Sequence, residues 1–93
     1  MSLINVIIYS KENCPQCVVA KHQLNRFSSI DGLYIENIMC DVTNEEVLSN
    51  LKQQFPEAKT FPIIEFFEES SSTKKVYTIS NLHELCDELN SRM

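Results

Sequence analysis

The 93-residue sequence contains no apolar run long enough to cross a lipid bilayer. Its longest predominantly apolar stretches, residues 3–8 and 63–67, fall far short of the roughly 20 residues that a transmembrane helix needs. Basic residues are also scarce, because 8 Lys and Arg stand against 13 Asp and Glu, for a net charge of -5. An acidic surface opposes broad contact with phosphate backbones. We therefore expect neither a membrane nor a nucleic acid as a partner.

The first residues lack the basic segment and the small-residue cleavage site of a secretory signal. Four cysteines could form two disulfides in a secreted domain, but the missing signal favours a reducing compartment. We expect a cytoplasmic protein, in which the spacing of the cysteines matters more than their number. A chain of this length fits one hydrophobic core, so residues 1–93 are expected to form a single domain.

The first half of the chain alternates strands with a helix. Leu3–Tyr9 is rich in β-branched residues and almost continuously apolar, which predicts a central strand. Pro15 suits the first turn of a helix, and apolar residues at helical spacing extend that helix from about Cys14 to Ser28. After the lone glycine, Gly32, the more polar segment Tyr34–Cys40 predicts an edge strand.

The second half predicts a helix, a hairpin and a last helix. Residues 43–46 have the form of a capping box, in which Thr43 caps a helix that ends near Pro56. Ile63–Phe67 and Lys75–Ile79 are typical of two hairpin strands around a polar loop. We expect Ser80 or Asn81 to cap the last helix. Four phenylalanines in the predicted helices and strands are expected to be core residues: Phe27, Phe55, Phe66 and Phe67.

The resulting order, βαβαββα, predicts an α/β fold. A strand–helix–strand start implies a parallel crossover, and the closing hairpin adds antiparallel strands. The expected architecture is a mixed four-stranded sheet with helices on both faces.

The pair Cys14-Pro15-Gln16-Cys17 falls where the first strand leads into the first helix. The free N–H groups and the positive dipole end of that helix favour a thiolate at Cys14, and thiolate is the form that attacks disulfides. Cys17 lies one turn later on the same face, close enough to close a disulfide with Cys14. The spacing therefore indicates a nucleophile and a resolving thiol.

A Cys-x-x-Cys pair could also supply half of a zinc site, or be inert. Zinc ribbons have a second close pair, whereas the other cysteines, Cys40 and Cys86, are isolated, so we favour redox chemistry and expect no metal. Cys40 and Cys86 are predicted to be small buried hydrophobes. His22 and His83 fall beside the apolar faces of the first and last helices and are predicted to lie at helix surfaces, without a role in proton transfer.

Residues 9–17, followed by Thr60-Phe61-Pro62, resemble the glutaredoxin family of the thioredoxin fold over nearly the whole chain. In that family Lys-x-x-Cys-Pro-x-Cys follows a strand, and a Thr-Val-Pro segment with a cis proline faces the cysteines. The resemblance implies that Pro62 is cis, with Phe61 in place of the valine. It also implies that the backbone of Phe61 pairs with an extended cysteine-containing peptide.

The resemblance further implies glutathione binding, with two departures. Gln16 replaces the usual aromatic residue, and Thr78–Asn81 occupies the place of a Gly-Gly pair through which the glutaredoxin backbone approaches glutathione. Lys11 and Lys59 match basic positions that flank glutathione in relatives. The implied binding residues are Lys11, Gln16, Lys59, Thr60, Phe61, Pro62, Ser80 and Asn81.

These features predict a glutaredoxin-like thiol-disulfide oxidoreductase that acts through Cys14 and Cys17. Expected substrates are protein disulfides, with ribonucleotide reductase among the candidates, and glutathione mixed disulfides. Glutathione would be the reducing co-substrate of a monomeric enzyme. One alternative is a redoxin recycled by thioredoxin reductase. Another is a binding module, either a silent adaptor or an iron-sulfur carrier, although Pro15 counts against a cluster because relatives that bind one usually have a small residue there.

Overall fold

The computed structural model describes residues 3–56 and 60–92. Its elements follow the predicted order βαβαββα, with a short 3-10 turn before the last helix. They are β1 (Ile4–Ser10), α1 (Pro15–Asn25), β2 (Leu33–Met39), α2 (Glu45–Gln54), β3 (Ile63–Glu68), β4 (Thr73–Tyr77), the turn Ile79–Asn81 and α3 (Leu82–Asn90). No helix among the described residues has the length and apolarity that crossing a bilayer requires.

The four strands form one mixed sheet in the order β2-β1-β3-β4. β1 pairs in parallel with β2 and antiparallel with β3, and β3 and β4 form the predicted hairpin. The apolar first strand is therefore central, and the more polar β2 is an edge, as expected. In the parallel register Ser10 stands beside Met39, so the end of β2 lies next to the segment that leads into α1.

Helices cover both faces of the sheet, as predicted. α1 and α3 pack against one face, where Val6, Ile8, Leu24 and Leu85 are almost completely buried. α2 covers the other face through Leu51, in a cluster that also includes Phe55, Cys40 and Ile63. Burial of apolar side chains of this size contributes about 1.5–3 kcal/mol each, so the two layers hold β1 and the first turn of α1 in place.

Phe67 is only half-buried, so the prediction that it is a core residue is wrong, whereas Phe27, Phe55 and Phe66 are buried. Alternation along β3 places Phe67 on the same face as Ile63, about 13 Å further along the strand. The cluster beneath α2 includes Ile63 and does not extend to Phe67.

The cap of α2 also differs from the predicted one. The Thr43 hydroxyl and N–H both donate to Asp41 Oδ1, which leaves Asn44 as the cap. Asn44 Oδ1 accepts from the N–H groups of Glu46 and Val47, at 2.9 and 3.4 Å. The local turn at Asp41 therefore moves the helix cap one residue along, from Thr43 to Asn44.

The end of α1 and the start of β4 differ from their predicted positions because of local hydrogen bonding. α1 ends at Asn25, not near Ser28. The N–H groups of Phe27 and Ser28 donate to the carbonyls three residues earlier, as in a 3-10 turn, instead of four residues earlier as in an α-helix. β4 begins at Thr73, not Lys75, because its pairing with β3 continues to Glu68. Ser72, with φ of 53°, completes the short turn between them.

Candidate active site

A disulfide joins Cys14 and Cys17 at the start of α1, with their Cα atoms 5.3 Å apart. Cys14 is the N-cap of the helix, in extended conformation, and Pro15 is its first residue. Proline is favoured there because its fixed φ suits a helix and its missing N–H would have no intrahelical partner. The local sequence therefore places both sulfurs at the N-terminal end of one helix.

The two sulfurs differ in their surroundings. The backbone N–H of Cys17 donates toward Cys14 Sγ, with N and S 3.2 Å apart. Cys14 keeps 6% of its surface exposed and Cys17 keeps 2%. Cys14 is therefore the more accessible sulfur, and it has a backbone donor directed at it. Both cysteines contribute to the wall of an open groove of about 500 Å³, through which solvent reaches the disulfide.

Asn13, directly before Cys14, has φ of 55° in the left-handed region. Asparagine adopts this region more readily than other residues that carry a side-chain Cβ. This residue was not predicted from the sequence, although an asparagine just ahead of a helix cap is a usable signal. The backbone at Asn13 turns the chain from β1 into α1, so it helps to set the position of Cys14.

We expect Asn13→Ala to lower the free energy of unfolding by about 1–2 kcal/mol, because alanine is strained at this backbone angle. Asn13→Gly is the matched control, since glycine adopts the same angle without that cost. Urea unfolding of the reduced proteins measures both changes. Equal midpoints for the alanine and glycine variants would contradict the assigned backbone constraint.

Four residues that the sequence associates with glutathione meet in a second groove, of about 360 Å³: Lys11, Gln16, Thr60 and Phe61. Lys11 Nζ lies 5.9 Å from the centre of the Phe61 ring, and Gln16 Oε1 lies 3.9 Å from Cys14 Sγ. The Phe61-Pro62 bond is cis, as the resemblance implied, and Pro62 is buried. Val42 and Leu48 also line this groove, and nothing in the sequence indicated them. Lys59 lies outside the described residues.

Ser80 and Asn81 do not line this groove. Asn81 Oδ1 accepts from the N–H of Thr78 at 2.6 Å, and Ser80 Oγ lies 2.8 Å from Thr78 Oγ1. Asn81 occupies the N-cap position of α3, as predicted, but its side chain makes no capping hydrogen bond to this helix. Its Oδ1 closes the turn before the helix instead. The segment that replaces the expected glycine pair is therefore bonded to itself.

The other cysteines are buried, as predicted, with 8% of Cys40 and 6% of Cys86 exposed. Burial raises the pKa of the Cys40 thiol. Cys40 also lines a depression that shares Glu12 and Met39 with the groove beside the disulfide, so it lies closer to that groove than its sequence position indicates.

His22 and His83 are exposed. Within residues 3–56 and 60–92, no three His, Cys, Asp or Glu side chains are arranged to hold a metal ion.

The architecture and the position of the disulfide define a protein of the thioredoxin-like fold. One similar solved structure is a thioredoxin-related protein from Neisseria meningitidis serogroup B, with a TM-score of 0.54 and 10% identity over 95% of this chain and 85% of that one. Another, described as a malarial protein, has a TM-score of 0.55 and 14% identity over 92% of this chain and 96% of that one. At these identities the likeness concerns the fold alone. No protein-family model matches the sequence, and no curated protein matches it.

Proposed function

We propose that the protein is a thiol-disulfide oxidoreductase that uses Cys14 as nucleophile and Cys17 as resolving thiol. The observation that carries this proposal is the disulfide at the N-terminus of α1, with the Cys17 N–H 3.2 Å from Cys14 Sγ. In the reduced protein the same N–H and the positive end of the helix favour negative charge on Cys14. The thiolate would therefore form at the more exposed of the two sulfurs.

The reaction begins with the reduced protein. The Cys14 thiolate attacks one sulfur of a substrate disulfide, a new bond joins Cys14 to that sulfur, and the other substrate sulfur leaves as a thiolate. The Cys17 thiolate then attacks Cys14 Sγ and releases the remaining substrate thiolate. Two electrons have passed to the substrate, and the Cys14–Cys17 disulfide is the oxidised product.

We propose glutathione as the reductant, which would make the protein a glutaredoxin. One glutathione thiolate would attack the Cys14–Cys17 disulfide, and a second would attack the resulting mixed disulfide and leave as oxidised glutathione. The convergence of Lys11, Gln16, Thr60 and Phe61 beside the disulfide supports this reductant. A positive charge at Lys11 suits a carboxylate of glutathione. The first N–H groups of α3, which no side chain caps, suit a second one.

A second candidate is a redoxin recycled by thioredoxin reductase. Its support is the hydrogen bond from the Thr78 N–H to Asn81 Oδ1, because this donor is then occupied and cannot pair with an extended ligand such as glutathione. The side chains of residues 78–81 also occupy the position where the family has two glycines. Both candidates share the chemistry of Cys14 and Cys17 and differ in the reductant.

Turnover of wild-type protein tests the proposal. A glutathionylated substrate is assayed with glutathione and glutathione reductase, and a protein disulfide, for which ribonucleotide reductase is one choice, with thioredoxin reductase. NADPH consumption reports both reactions. We expect turnover with glutathione. Turnover only with thioredoxin reductase would select the second candidate, and no turnover in either assay would refute the oxidoreductase.

A further inference from the structure

The groove beside the disulfide has exposed apolar side chains in its lining. Pro15 and Val18 of α1 and Met39 of β2 line it, together with the two cysteines. Val18 is 63% exposed and Met39 is 53% exposed, although both are large apolar side chains. Exposed apolar side chains grouped in one concavity are typical of interaction sites. The volume of about 500 Å³ lies within the range of ligand-binding cavities.

This disulfide groove is separate from the groove at Phe61, and Lys11 is the one residue of the described ranges that lines both. The difference arises from the sheet order, because Met39 stands beside Ser10 at the β2 edge, whereas Phe61 precedes β3 on the other side of β1. The active-site disulfide therefore has two approaches. One contains the residues associated with glutathione, and the other has no assigned occupant.

More lysines than acidic residues line the disulfide groove, although the whole chain is acidic. Lys11 and Lys21 line it with Glu12 as the acidic residue, whereas the protein carries a net charge of -5. Neither lysine takes part in the ion pairs formed among residues 3–56 and 60–92. Both are half-buried, so their stems add to the apolar lining. Lys11 Nζ lies 5.9 Å from the centre of the ring of Phe61, which lines the other groove, so Lys21 is the cation assigned to the disulfide groove. The groove is thus complementary to an apolar side chain beside a carboxylate.

We propose that the disulfide groove binds the protein substrate, and that it selects a segment in which the reactive cysteine is flanked by an apolar and an acidic residue. This inference rests on the proposed function, because the disulfide forms part of the groove wall. Binding there places the substrate sulfur next to Cys14 and leaves the Phe61 groove open to glutathione. Apolar burial supplies affinity, and Lys21 supplies selection by charge.

Single-turnover reduction of short synthetic peptides tests the inference without any recycling enzyme. Each peptide carries glutathione on a central cysteine, flanked on both sides by Leu-Glu, by Leu-Lys or by Ser-Glu, and reduced protein is mixed with each. The released peptide thiol gives a second-order rate constant, which is divided by that for the mixed disulfide of glutathione and mercaptoethanol. We expect this normalised rate constant to be about five times larger for the Leu-Glu peptide than for the Leu-Lys peptide. It should be about ten times larger for the Leu-Glu peptide than for the Ser-Glu peptide.

Two variants and two matched controls locate the effect. Lys21→Glu is expected to reverse the preference between Leu-Glu and Leu-Lys, whereas Lys75→Glu, on β4, leaves it unchanged. Val18→Glu is expected to remove the preference for leucine over serine. Val19→Glu is its control, because Val19 is 46% exposed on the same helix and does not line the groove.

The outcomes separate the inference from the function on which it rests. No reduction of the small mixed disulfide by wild-type protein would refute the proposed function itself. Reduction of that disulfide with equal ratios for all three peptides would overturn the groove assignment alone. An effect of Val19→Glu equal to that of Val18→Glu would also overturn the groove assignment. Sedimentation of wild type and Val18→Glu adds a last criterion, since a wild-type dimer dissociated by this change would make a second copy of the chain the occupant and overturn the assignment.

Discussion

Replacing Cys14 by serine is expected to lower disulfide-reduction activity by at least about a thousandfold. A hydroxyl at this position cannot form a mixed disulfide, and Cys17, with 2% of its surface exposed, is poorly placed to attack in its stead. Turnover with a glutathionylated substrate measures the loss. The fold should persist, because the thiol-to-hydroxyl change is nearly isosteric and lies at the edge of the helix, where serine is also a favoured cap.

The control for this experiment is Cys40→Ala, which removes a free thiol and leaves the active-site pair intact. Burial raises the pKa of Cys40, so this thiol should contribute no nucleophile at neutral pH. Alkylation of reduced wild-type protein at pH 6 should accordingly modify Cys14 and spare Cys40. Cys14→Ser with wild-type activity, or alkylation of Cys40 ahead of Cys14, would remove Cys14 from the mechanism.

Replacing Cys17 by serine is expected to separate two reactions. Reduction of protein disulfides should fall by about a hundredfold, because no resolving thiol remains to release the substrate from Cys14. Reduction of a glutathione mixed disulfide should remain within about tenfold of wild type, because a second glutathione can attack at Cys14 directly. Parallel assays of the two substrates with the same protein sample give the ratio.

The intermediate provides an independent readout for the Cys17→Ser variant. Mass spectrometry should show a mixed disulfide of Cys14 with the substrate, which wild-type protein resolves too quickly to accumulate. If both reactions were lost equally, Cys17 would be required at a step common to them, such as the stabilisation of Cys14 itself. If neither changed, Cys17 would have no part in turnover.

Much of the architecture could be predicted from short stretches of sequence. The β-branched run in β1 identified the central strand, and the more polar β2 was recognised as an edge. One error arose where neighbouring side chains compete for the same backbone groups. Thr43 has the residue type of a cap, but Asp41 accepts its hydrogen bonds and Asn44 caps α2 instead. Residue type alone does not show which of two neighbouring side chains makes the capping hydrogen bond.

The candidate site divides in a similar way. The Cys14–Cys17 pair and its helix could be predicted from spacing and from Pro15, because all of these lie within one turn of chain. Lys11 and Phe61 were grouped only by a family resemblance, and the structure brings them together. Val42 could not have been found, because its place in the groove depends on the path of the chain after β2. Asn13 could have been noticed from its residue type.

By itself, the sequence determined the order of the elements and the placing of two cysteines at the start of a helix, because periodicity and capping operate between residues a few positions apart. Tertiary structure alone decided what surrounds those sulfurs. The parallel pairing of β1 with β2 brings Met39 beside the loop that holds Cys14, and the antiparallel pairing with β3 brings Phe61 to its other side. Contacts between residues so far apart in the chain depend on strand register and helix packing, which no local pattern encodes.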